Sequence, residues 1–203
     1  MECSVKRACK GRPREFDVDE ALAAALQLFW RKGYEGTSLT DLTDAMGITR
    51  PSLYAAFGNK EELFRKALDL YEREKLAYVS EALNAPTSRQ VAERLLRGAL
   101  QVQTSECQPR GCLGVISSVT CGAEAESVRA DLMSRRASSH QAICDRMQRA
   151  KAEGDLSADV DAEGLCNYLL AILQGMSVQA GSGASKEQLE SLVETSLAMW
   201  PGR

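Results

Sequence analysis

The stretch that decides the reading of this chain is Thr40–Leu63, TDLTDAMGITRPSLYAAFGNKEEL. It holds two short helical patterns separated by a glycine. Ser38 is placed to cap the first, and Asp41 falls in its first turn, where the helix dipole favours a negative charge. Leu39, Leu42 and Met46 give it one apolar face, and Gly47 ends it. Thr49 starts the second, Arg50–Phe57, with Pro51 in the first turn, where a missing N–H costs little. A small residue at the turn lets the second helix cross the first closely, as a helix-turn-helix requires. Ala45, Met46, Ile48 and Leu53 are expected to lock the two together.

Working outward, Asp17 with Glu20, and Asn59 with Glu62, have the spacing of capping boxes. The first starts a helix with Leu22, Ala25, Leu26 and Phe29 on one face, closed by Gly33. The second starts a helix with Leu63, Phe64, Ala67, Leu70 and Tyr71 inward, expected to run to about residue 83. Further helices are expected up to about Gln103, over 112–121, 124–152, 161–179 and 186–199. Strand alternation and internal repeats are both absent. The fold class is therefore all-α.

Composition limits the function. The chain has 203 residues, 44% of them apolar, which is enough for a packed core. Net charge is −3, but residues 1–60 carry nine basic and eight acidic groups while the remainder carries sixteen and twenty. Five of the basic residues fall within the first fourteen positions, which read as a flexible basic arm. No apolar run approaches the ~20 residues of a membrane span, and no apolar region follows the basic start as in a secretory signal. The expected location is the cytoplasm, with no membrane partner.

The exposed face of Arg50–Phe57 offers Thr49, Arg50, Ser52, Tyr54 and Ala55, a set of small groups, one cation and one aromatic. Such a face suits the DNA major groove, about 12 Å wide. Lys60 lies at a helix N-terminus, where a cation opposes the dipole; a DNA phosphate shared with the free N–H groups would account for it. In the arm, Gly11-Arg12-Pro13-Arg14 has the form of a minor-groove hook, with Arg12 and Arg14 following the narrow groove of A·T-rich DNA. The plainer reading of this string is a solvated basic tail.

These motifs, GITRPSLYAAFGNKEELF together with GYEGTSLTDLTDAMG and the helix from Asp17, resemble the DNA-binding region of the TetR/AcrR family of repressors over roughly residues 16–70. The resemblance implies a homodimer on a double-stranded DNA operator, and a C-terminal domain that binds a small-molecule effector. It implies that Thr37 and Thr40 meet the DNA backbone, that Thr49, Arg50, Ser52, Tyr54 and Ala55 face the groove, and that Lys60 holds a phosphate. Paired alanines at 55 and 56 depart from the aromatic or polar groups common there. The expected organisation is a basic arm (1–15), a three-helix DNA-binding domain (16–60), and a larger helical effector-binding and dimerisation domain (61–203).

Two aliphatic stripes are expected to form the dimer surface. They are Leu165, Leu169, Ile172, Leu173 and Met176, then Leu189, Leu192, Val193 and Leu197, which would build an intersubunit four-helix bundle. The alternative is that they complete the subunit's own core. Seven cysteines occur without a C-x-x-C pair, and a reducing cytosol disfavours structural disulfides. Cys107 and Cys112, near Arg110, are candidates for a thiol that senses an electrophile or oxidant; Cys121, Cys144 and Cys166 read as buried small hydrophobes. His140, the one histidine, is expected at the effector cavity. His140 and Cys144 are four residues apart on one helix, yet two ligands do not make a metal site, and neither metal nor cofactor is assigned. No catalytic motif is present, so an enzyme is not expected. The competing class is a helical interaction or adaptor protein that binds no specific DNA.

Overall fold

The computed structural model describes residues 16–120 and 125–202, with the side chains of 118–120 excepted. The Arg12–Arg14 hook, Cys3, Cys9 and Cys121 lie outside the described residues. Ten helices are described, and no strand. They are α1 (Val18–Lys32), α2 (Leu39–Met46), α3 (Arg50–Phe57), α4 (Lys60–Lys75), α5 (Ala77–Leu83), α6 (Ser88–Gln103), α7 (Leu113–Thr120), α8 (Glu126–Ala152), α9 (Ala162–Gly181) and α10 (Lys186–Ala198).

Local chemistry sets the ends of the early helices. Asp17 caps α1 through the amides of Asp19 and Glu20. Ser38 with Asp41, and Asn59 with Glu62, form complete capping boxes on α2 and α4. Each box satisfies two of the amide donors that a helix start leaves without partners. The long helix expected from Asn59 to residue 83 is instead two, α4 and α5, joined at Leu76. This break lets Tyr78 on α5 turn inward onto Gly98 of α6, where any β-carbon would overlap the tyrosine ring.

Two apolar cores result. The first joins Leu26, Phe29 and Trp30 of α1, Leu42 of α2, Leu53 and Phe57 of α3, and Leu63, Phe64 and Tyr71 of α4; it also takes in Leu113 of α7 and Leu132 of α8. Its centre is aromatic: Phe29 meets Phe64 edge-on at 5.0 Å, and Trp30 meets Tyr71 at 4.8 Å. Edge-to-face pairs of this kind add to the apolar burial itself. The second core packs α6 between α5, α8, α9 and α10, through Leu95, Leu96, Met147, Leu169, Val193 and Trp200.

That second core takes up part of the expected dimer surface. Leu169, Met176, Leu189, Val193 and Leu197 are buried inside the subunit, and Leu165, Ile172, Leu173 and Leu192 pack partly buried against the same core. α6 covers the buried side of both stripes, while Leu165, Ile172, Leu173 and Leu192 keep part of their surface exposed. The outward face of α9 carries Gly164, Tyr168, Ala171 and Val178.

The expectation that these cysteines form no disulfide is also overturned. Cys144 of α8 and Cys166 of α9 are joined, with Cα atoms 5.3 Å apart. Their spacing of 22 residues gave no motif, because the contact is made only when α8 packs on α9.

Candidate nucleic-acid interface and effector cavity

α2 and α3 meet at Gly47, whose φ of 65° and ψ of 30° are left-handed values natural to glycine. The Gly47 amide reaches back to Asp44 O and the Ile48 amide to Thr43 O, so the turn closes α2 while starting α3. Met46 and Leu53 are buried and Ile48 is half-buried, as the locking role requires; Ala45, expected with them, faces solvent. The Asp41 carboxylate closes the Ser38 box at 2.9 Å and pairs with Lys32 of α1 at 2.9 Å. These bonds, the Ser38 amide first and Lys32 next, bring its pKa down to about 2. The Asp41 side of the capping box therefore stays ionised throughout the neutral range.

α3 stands on Leu53 and Phe57, both fully covered, and turns its other side outward. Arg50, Tyr54 and Ala55 are exposed on that side, Tyr54 by half of its surface. Thr49 caps the helix by accepting from the Ser52 amide, and its hydroxyl lies 3.0 Å from that of Ser52. The Arg50 guanidinium crosses to α2 and donates to Thr40 Oγ1 at 2.8 Å. Thr40 thus orients the one cation on this face, a positioning role that periodicity could not show.

Two expected backbone contacts fare differently. Thr37 is fully buried, and its hydroxyl donates to Gly33 O at 2.7 Å. That hydroxyl closes the α1–α2 turn, so the expectation that it meets DNA is withdrawn. Lys60 lies with its ammonium 4.3 Å from the centre of the Tyr34 ring. Attraction to the ring face offsets the unfavourable dipole at the α4 start. No local pattern points to Tyr34, because the contact joins the turn between α1 and α2 to the start of α4.

A cavity of about 210 Å³ opens where the two cores meet. Its wall is chiefly apolar, with Leu68, Leu76, Val79, Leu95, Leu132, Ile143, Leu170 and Leu173, while Glu72, Arg135 and Arg136 bring charge to it. Cys112 of the α6–α7 connection and Gly114 of α7 contribute as well. Tyr71 and Tyr78 also line it, and their hydroxyls are held protonated far above the usual range, by burial first and the neighbouring Cys112 second. Of the sequence candidates, Cys112 is at this cavity, whereas Cys107 is exposed on the preceding loop. Arg110, expected beside them, donates to Ala184 O at the α9–α10 turn. His140 is not on the main cavity wall; it borders a separate opening with Arg136, Asn167 and Gln174.

The cavity is tied to α4 and α1 by polar contacts. Arg135 of α8 pairs with Asp69 at 2.7 Å and Glu72 at 2.8 Å on α4, and with Asp131 at 3.2 Å on its own helix. Burial alone would lower its pKa, but the carboxylates outweigh that and raise it, so Arg135 stays charged. On the far side, the Trp30 indole of α1 donates to Gly111 O at 3.1 Å, next to Cys112.

A family model described as "Bacterial regulatory proteins, tetR family" matches residues 21–67, and a "Tetracyclin repressor-like, C-terminal domain" model matches residues 92–195. The chain belongs to the TetR family. Its relatives include the HTH-type transcriptional repressor ComR of Escherichia coli, 36% identical over 95% of this chain and 92% of that protein. The repressor BdcR of the same species is 29% identical over 88% of this chain and 86% of the other. A solved structure of a cysteine mutant of the TetR family regulator CifR, in complex with 26-bp operator DNA, superposes with a TM-score of 0.88; it is 46% identical and covers 94% of this chain and 100% of that one. A TetR regulator from Rhodococcus sp. RHA1 gives a TM-score of 0.63 at 40% identity, over 90% and 98% of the two chains. This TetR-family chain is accordingly a DNA-binding transcriptional regulator. Among the described residues, no helix is long and apolar enough to cross a membrane.

Proposed function

We propose that this regulator is a cytoplasmic homodimeric repressor that leaves a palindromic operator when a small effector fills the cavity between its two cores. The observation that carries the reading is the α3 face, which presents Arg50 and Tyr54 outward from a fully buried Leu53–Phe57 underside. Thr49, Arg50, Ser52, Tyr54 and Ala55 enter the major groove, Thr40 holds Arg50 in place, and Lys60 lies at the backbone. Arg12 and Arg14 follow the neighbouring minor groove. Relatives named as repressors support the sign of regulation.

The dimer forms through the outward face of α9. Tyr168 and Val178, 36% and 54% exposed, stand on it with Ala171 and Gly175 between them and Gly164 one turn before. A β-carbon on Gly175 would meet nothing within 4 Å, so that position opens to a partner. A two-fold axis there gives the symmetry that a palindrome needs, with recognition helices ~34–36 Å apart.

The effector is a small, largely apolar molecule. Its entry moves α8 relative to α4 through Arg135 and its carboxylates, changing the spacing of the two α3 helices. A thiol-reactive effector in the cavity would be attacked by Cys112 on its wall more directly than by Cys107, which is exposed outside it. The test is a mobility shift with DNA flanking the protein's own gene, repeated across salt. A specific shift whose affinity falls steeply with salt is expected. Equal, weak binding to all fragments would favour the adaptor alternative.

A further inference from the structure

We propose that His140, Cys144 and Cys166 form a site for a thiophilic metal cation, filled when the two sulfurs are reduced. One ligand atom from each residue lies within 4.8 Å of the others. His140 and Cys144 are one turn apart on α8, and Cys166 faces them from α9. Both ring nitrogens of His140 lie 3.7 Å from Cys144 Sγ. A tetrahedral ion with metal–sulfur bonds of ~2.3 Å and metal–nitrogen bonds of ~2.0 Å separates a sulfur and a nitrogen ligand by about 3.5 Å, and two sulfurs by about 3.8 Å. The sulfur–nitrogen spacing is thus nearly set. The sulfurs need only part by rotation about their Cα–Cβ bonds, over Cα atoms 5.3 Å apart.

A second, independent contact prepares the histidine. Asn167 Oδ1 lies 2.9 Å from His140 Nε2. An amide oxygen can only accept, so this bond places the imidazole proton on Nε2 and leaves the Nδ1 lone pair free for an ion. Histidine ligands in metal sites are commonly oriented by such an oxygen on the other ring nitrogen. Cys166 is fully buried and Cys144 nearly so, which protects the sulfurs. The opening beside His140, lined by Arg136, Asn167, Leu170 and Gln174, gives access and leaves a fourth position for water.

One imidazole and two thiolates select soft or borderline cations, of which Zn²⁺ and Cu⁺ are the biological candidates. Reducing the disulfide takes two electrons and two protons: two thiols give both and become a disulfide, whereas a phosphine gives the electrons and becomes its oxide, with water supplying the oxygen and the protons. Binding the ion releases those two protons as the sulfurs become thiolates. The oxidised pair offers no thiolate, so disulfide and ion exclude each other. Either state joins α8 to α9, at different sulfur separations, and both helices wall the effector cavity.

The test uses the full chain with Cys3, Cys9, Cys107, Cys112 and Cys121 changed to Ser. After anaerobic reduction with a phosphine, it is titrated with Zn²⁺, and separately with Cu⁺, each against a chromophoric chelator. One equivalent per chain of at least one ion is expected, and none after reoxidation. Binding of Co²⁺ should give a sulfur-to-metal charge-transfer band. Cys144→Ser and Cys166→Ser should each weaken binding more than about 100-fold, and Asn167→Leu, at an exposed position, by about 10–100-fold. Circular dichroism checks that each variant is folded. Less than a tenth of an equivalent of both ions in the reduced, folded chain would overturn the site. So would an affinity that Cys144→Ser leaves unchanged, or equal binding by the oxidised protein.

Discussion

Thr40 and Arg50 offer the sharpest test of the DNA face, because their 2.8 Å hydrogen bond makes their contributions interdependent. Arg50→Ala removes the one cation on the exposed side of α3 and should cost about 1–3 kcal/mol of specific operator affinity, roughly 5- to 150-fold. Thr40→Val keeps the shape of the side chain but removes the acceptor. A hydrogen bond to a charged group is worth about 1.5–3 kcal/mol when shielded. Both residues are exposed, so solvent screening reduces this to about 0.5–1 kcal/mol, or two- to fivefold in affinity. If Thr40 acts by aiming Arg50, Thr40→Val should cost almost nothing in the Arg50→Ala background, and the cycle should return a coupling of about 0.5–1 kcal/mol. The assay is fluorescence anisotropy on a labelled operator at fixed salt, with thermal melts to confirm that neither exposed change unfolds the domain. Additive losses within about 0.3 kcal/mol would refute the reasoning, since Thr40 would then act on DNA independently of Arg50.

Thr37→Val should destabilise the protein by about 1–3 kcal/mol in urea titration, because the buried Gly33 carbonyl loses its partner. Operator affinity of the folded fraction should change less than twofold; a tenfold loss would restore a DNA role for this hydroxyl. Arg135→Leu leaves Asp69 and Glu72 facing each other without a cation, and should cut effector-driven release about fivefold in an inducer titration while the protein stays dimeric. Tyr168→Glu with Val178→Glu should shift the dimer toward monomer in light scattering and weaken operator binding, whereas an unchanged dimer would move the interface elsewhere. Deleting residues 1–14 should flatten the dependence of operator affinity on salt, and cost more on A·T-rich than on G·C-rich flanks.

The sequence by itself determined the DNA-binding half, because its information is local. Ser38, Asn59 and Gly47 act on backbone groups within four residues, so their spacing specifies helix ends and the turn between α2 and α3 without reference to the rest of the chain. The same locality made α3's outward residues legible: Leu53 and Phe57 mark the buried side, and the opposite side follows from the helical period. What only the tertiary structure decided is which partner each surface meets. An aliphatic stripe looks the same whether α6 or a second subunit covers it, so Leu169 and Val193 could not be assigned from periodicity. Thr37 reads as a surface hydroxyl until the α1–α2 turn folds over it. Lys60 has no visible counterpart until Tyr34 is brought beneath it. Cys144 and Cys166 become neighbours only because α8 and α9 pack antiparallel, and His140 joins them from one turn away. Each of these depends on contacts between residues distant in the chain, which residue types and spacing constrain but do not select.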